Sequence, residues 1–150
     1  MAEGAFAVYD KTMEYCLDGT IDVDTHTFKV IYLDNTYTPN TASHSALANV
    51  TSAELSASDG TSLIQTLSSV TWAITSSSSV SVVRFDAADV TMSTSSTVKV
   101  RYVAIYDDST TSPVDALLCL SELTTTGTGV AVTQLTLQFA STGIFKCKRG

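Results

Sequence analysis

The chain has 150 residues and a mass of 15.9 kDa, room for one domain and too little for two ordinary ones. Fifteen Asp and Glu against eight Lys and Arg leave a net charge of −7, which argues against a nucleic-acid binder, whose clustered bases must displace counterions from phosphate. A 44% apolar share excludes a disordered tail, while a 15% charged share, well below the usual ~25%, and 20 Ser with 24 Thr point to an all-β protein with much of its surface covered.

Phe6, Tyr9, Met13, Cys16 and Leu17 recur at three- and four-residue spacing, one face of a short helix. Asp18-Gly19 is a plausible stop. The first 24 residues therefore form an N-terminal helical arm, and residues 25–150 a β-domain. Strands are expected at Thr27 to Leu33, Asn49 to Ser56, Leu63 to Thr75, Val80 to Asp86, Thr97 to Tyr106, Val114 to Ser121, Val130 to Phe139 and Ile144 to Cys147. Turn chemistry separates them at Asp34 to Asn40, Ser58-Asp59-Gly60, Ser76 to Ser79, Asp107 to Pro113, Thr126 to Gly129 and Thr142-Gly143. About eight antiparallel strands without crossover helices predict a β-sandwich of jelly-roll type.

Alternation supports this. Val98, Val100, Tyr102 and Ala104 fall on one face of a strand, with Lys99 and Arg101 on the other. Leu135, Leu137 and Phe139 alternate with Gln134, Thr136 and Gln138 in the same way. From Gly60 to Val83 there is no charged residue. Natural edge strands are guarded by charge or proline, so this stretch is expected in the interior or under a partner.

Catalytic patterns are missing. There is no G-x-S-x-G elbow, and Gly127-Thr128-Gly129 lacks the third glycine and the helix of a nucleotide loop. His26 and His44 read as polar loop residues. Cys16, Cys119 and Cys147 have neither a CxxC pair nor metal spacing to a histidine. They read as reduced thiols, in keeping with a reducing cytosol. Asp18, Asp22, Asp24 and the Asp107-Asp108 pair lack EF-hand spacing and read as solvated turn acids. No catalytic residue, cofactor or metal is expected. No membrane span is expected either, since no run reaches ~20 apolar residues, and the start at Met1 lacks the pattern of a signal peptide.

Lys29-Val30-Ile31-Tyr32-Leu33-Asp34-Asn35-Thr36-Tyr37-Thr38-Pro39-Asn40, with His44 shortly after, resembles a family of small virion structural proteins of tailed bacteriophages. The matching pieces continue in order: Asn49 to Leu55, Phe85 to Met92, Val103 to Asp108 and Thr142 to Phe145. Two departures stand out. Met92 occupies a position where the family usually has Trp, and Ser58 to Ser62 replaces a Gly-rich stretch.

The resemblance implies a non-enzymatic virion component, assembled in the host cytoplasm, whose partners are the major capsid protein or other virion proteins. A compact domain without heptads or repeats suits a capsid decoration or cement protein better than a fibre shaft. The alternative is a neck, tail or fibre adaptor. A carbohydrate-binding or hydrolytic sandwich is disfavoured by the lack of a catalytic cluster. Self-association is expected, as a trimer or else a dimer, through the uncharged stretch. The candidate docking residues are Phe6, Tyr9 and Met13 in the acidic N-terminal segment, and Lys146, Lys148 and Arg149 at the basic C-terminus.

Overall fold

A computed structural model describes residues 5–77 and 80–148, with the side chains of 75–77, 80, 81, 147 and 148 left aside. The elements in order are β1 (Ala7–Val8), α1 (Asp10–Leu17), β2 (Phe28–Leu33), two 3-10 turns (Leu47–Asn49 and Thr51–Ala53), β3 (Gln65–Thr66), β4 (Thr71–Ser77), β5 (Val80–Asp86), β6 (Val90–Val100), β7 (Tyr102–Thr111), β8 (Val114–Glu122), β9 (Val130–Leu137) and β10 (Phe145–Lys148). Eight of these strands have four or more residues, and β1 and β3 have two each. The fold is all-β and sandwich-like, with one helix.

A five-stranded sheet in the order β1-β8-β7-β2-β3 forms the middle of the molecule. A three-stranded sheet, β10-β5-β4, and a pair, β6-β9, pack on one of its faces. Every pairing is antiparallel. Phe28, Val30, Tyr32, Val103, Ile105 and Leu118 project from the central sheet to meet Phe85, Met92, Leu135, Leu137 and Phe145. The opposite face carries Ile31, Leu33, Ala104, Tyr106, Leu117 and Leu120, covered by Tyr9, Tyr37, Val50 and Ala53. β2, β7 and β8 are thus buried on both faces, which explains their nearly continuous apolar runs.

Three expectations change for stated physical reasons. Asn49 to Ser56 forms 3-10 turns and not a strand: Asn49 Oδ1 accepts the Ser45 and Ala46 N–H groups at 3.0 Å each and closes the chain locally. Leu63 to Thr75 is divided, because β3 and β4 belong to different sheets. Ser69, at φ 52°, lies between them. Asp107-Asp108 lies within β7, and the turn falls at the cis Ser112-Pro113 bond.

Alternation breaks where the chain changes sheet. Val98 and Val100 face the first core and Tyr102 and Ala104 the second, because β6 ends and β7 begins around Arg101. The Arg101 N–H donates to the Leu33 carbonyl at 2.9 Å, and its own carbonyl accepts the Leu123 N–H at 2.9 Å. A register shift between Ile105↔Cys119 and Tyr106↔Leu117 makes Leu118 an extra residue in β8. Leu118 and Cys119 consequently face the same core, as a β-bulge allows.

That bulge also seats the helix. The Thr12 hydroxyl lies 3.0 Å from the Leu117 carbonyl and 2.8 Å from that of Leu118. The Tyr9 N–H donates to the Leu118 carbonyl at 3.0 Å, and β1 pairs with β8. The described part of the expected N-terminal arm is stitched into the central sheet by these bonds.

Candidate functional site

The acids of the N-terminal loop mostly organise turns. Asp18 Oδ1 accepts the Thr20 N–H at 2.8 Å, and Asp22 Oδ1 the Asp24 N–H at 3.0 Å. Hydrogen bonds, chiefly from Thr20 and Thr25 respectively, hold both carboxyls below the usual Asp value. Asp34 and Asp59 make the same i to i+2 bond, an Asx turn in each case. The loop they shape lies between two clefts. One, of about 280 Å³, opens between Ile21 to Asp24 and Trp72. The other, of about 340 Å³, is lined by Thr20, His26 and Ser109 to Ser112.

His26 closes the second cleft, through a contact that sequence reasoning missed. Its Nδ1 lies 2.6 Å from Asp107 Oδ2, and the Asp107 side chain is 0% exposed. Asp107 Oδ1 accepts the Ser109 N–H at 2.9 Å. Burial pushes the Asp107 carboxyl above its ordinary value, outweighing the opposing hydrogen bonds from His26 and Ser109. The His26–Asp107 contact pins the 18–26 loop to β7. Lys29 Nζ meets Asp108 Oδ2 at 2.7 Å on the other face of the strand pair. His26 and Asp107 are 81 residues apart, so no local spacing announces the pair.

His44 is likewise placed by a bond and not simply solvated. Tyr9 Oη lies 3.1 Å from Tyr37 Oη, which lies 2.9 Å from His44 Nδ1. Tyr37 also meets Tyr102 edge-on, with ring centroids 5.6 Å apart. The Tyr37-Thr38-Pro39-Asn40 motif therefore belongs to the cover of the central sheet. Among the described residues, no three His, Cys, Asp or Glu side chains converge as metal ligands would, and no helix is long and apolar enough to cross a membrane.

The proposed docking residues separate in the fold. Tyr9 is 0% exposed within its own chain, which corrects its assignment as a docking residue: its ring completes the second core. Phe6 is half-buried against Phe139, with centroids 6.1 Å apart. Met13 remains exposed, and Leu17, 83% exposed, joins it. Lys146 is exposed on β10 opposite Arg84, and Lys148 pairs with Val82 at the end of that strand. Arg149 lies outside the described residues.

The uncharged stretch supplies the second candidate site. β4 pairs with β5 and, among the described residues, is an edge of its sheet. Register places Trp72, Phe85 and Phe145 in one row, and Ile74 and Val83 in the next row on that face. The first row is packed ring on ring, with Phe85 and Phe145 stacked at 5.1 Å and Trp72 edge-on to both. The second row lies past the end of the core, and Ile74 is 70% exposed. No family model, curated protein or solved structure matches the chain.

Proposed function

We propose that the protein is a non-enzymatic structural component of a tailed-phage virion, most simply a capsid decoration protein that braces the major capsid lattice. The observation that carries this reading is the bare β4 edge: a charge-free strand with exposed Ile74, in a chain of net charge −7. A sheet edge without charge or proline pairs readily with another chain, so a partner surface accounts for it. The resemblance of the ordered motifs to virion proteins supports a particle as the setting. The interlocked fold suits that role, since its helix, central sheet and loop cover are tied by buried bonds. Copy number in purified particles tests the proposal. Hundreds of copies per particle are expected. About a dozen copies would favour the neck or tail adaptor, and absence from particles would overturn the reading.

A further inference from the structure

We propose that two copies of this chain associate edge to edge through β4, antiparallel about a two-fold axis at Ile74. This makes one sheet across both copies, in the order β10-β5-β4-β4-β5-β10. The inference rests on the virion reading only in naming the occupant of the surface that reading invokes.

Charge selects the occupant. Two copies of a −7 chain repel wherever their acids meet, and the longest run free of any charge, Gly60 to Val83, contains the whole of β4. Other exposed apolar side chains are less suited: Leu17 adjoins Asp18, and Val114 adjoins Asp115. Strand geometry then selects the symmetry. β4 runs from Thr71 to Ser77, so Ile74 is its central residue. A two-fold axis there sets Ile74 against its own copy, with Thr71 opposite Ser77 and Trp72 opposite Ser76. No charged side chain falls in the paired strands themselves, and the nearest acids of the cleft beside Trp72, Asp22 and Asp24, lie on the 18–26 loop toward one end of β4 and not at the axis. Each Ile74 covers the other, and Trp72 of each copy lies one diagonal step away, within reach of an aromatic ring. The same pairing satisfies the outward backbone groups of β4, which the edge otherwise leaves to water. Edge pairing about an axis is isologous and closes at two.

Sedimentation and light scattering of the full chain test this, in wild type and Ile74→Lys. Wild type is expected to be a dimer. Ile74→Lys is expected to be a monomer at the same concentrations, with an unchanged circular dichroism spectrum and a melting temperature that matches wild type diluted to monomer, because a side chain already 70% exposed contributes little to the monomer while dimer formation itself raises the wild-type midpoint. Raising salt from about 50 mM to about 500 mM screens the mutual repulsion and is expected to leave the wild-type dimer intact or tighten it. An interface between the acidic N-terminus and the basic C-terminus would loosen instead. Ile74→Cys guards against a folding defect in the lysine variant. Directly opposed residues of an antiparallel pair have Cα atoms about 4.5–5.5 Å apart, within disulfide range, so mild oxidation is expected to yield a covalent dimer that wild type, with its own three cysteines, does not form. A monomeric wild type, a trimer, a dimer that survives Ile74→Lys or a dimer loosened by salt would overturn the inference. A cysteine variant that fails to cross-link would do the same. Each of these can occur with the protein still present in hundreds of copies per particle, so the two proposals fail separately.

Discussion

On the face of β2, β7 and β8 that meets the other sheets, the cover is made mainly of strands, with Ile21, Leu63, Leu67 and Ile144 added from loops, and the side chains between the layers include Val30, Ile105, Met92, Leu137 and Phe85. On the opposite face the cover is mainly the segment between β2 and β3, held by short turns, and the filling includes Tyr9, Tyr37, Tyr102 and Tyr106. The difference follows from backbone satisfaction. Strands have already paired their N–H and C=O groups, so they can present purely apolar side chains. An irregular cover has backbone groups still to pair, and amphipathic rings with a polar tip suit that boundary. The Tyr9–Tyr37–His44 chain links the helix to this cover.

Removing the centre of the strand-covered face is the most severe way to break the comparison. Phe85 is fully buried between Phe28, Trp72 and Phe145, so Phe85→Ala is expected to cost about 3–5 kcal/mol in urea denaturation.

A matched pair of hydroxyl deletions sharpens the contrast. Tyr37→Phe strips the loop-covered face of a bonded hydroxyl, leaving Tyr9 Oη and His44 Nδ1 without that partner, and is expected to cost about 1–2 kcal/mol. Tyr32, on the strand-covered face, has a buried hydroxyl with no hydrogen-bond partner among the described residues, and burial raises its pKa. Tyr32→Phe is expected to be neutral or to stabilise by up to about 1 kcal/mol. Equal losses from the two substitutions would remove the distinction between the faces.

The smallest effect concerns the rim of the strand-covered face, where Asp107 is the one buried carboxylate among the described residues. A carboxyl whose folded pKa is raised binds its proton more tightly in the folded state. Its contribution is therefore most favourable below the ordinary value of 3.8 and is lost as pH rises from there through the raised folded value. Asp107→Asn keeps a hydrogen-bonding group beside His26 and removes the titration. Denaturation midpoints measured from acid to neutral pH are expected to fall less with rising pH in the variant than in wild type. Parallel pH profiles would show that burial does not govern this carboxyl.

Local pattern determined the strands whose ends carry turn residues in the sequence. Val80 to Asp86 is read from the sequence at its structural boundaries, and Val114 to Ser121 and Val130 to Phe139 nearly so. Leu135 and Leu137 face the core as their alternation requires. The Phe6 to Leu17 pattern marks the helix but not its start, because Ala7 and Val8 are taken by β8. The Gly143-Ile144 motif has a local requirement as well: Gly143 holds φ +92°, and a Cβ there would come within 2.2 Å of Arg84 Cγ. The bare β4 edge is legible as a charge-free run, though its being an edge is not.

What only the tertiary structure decided depends on contacts between distant segments. The switch of face at Arg101 and the bulge at Leu118 change which residues point inward without altering the apolar character of the run. The His26–Asp107 contact joins residues 81 positions apart. Tyr9 and Ile74 make the point together. Each is a large side chain in an apolar pattern, yet Tyr9 is fully buried and Ile74 is 70% exposed. Periodicity reports which side of an element is apolar, while burial depends on whether another layer of the fold reaches that side.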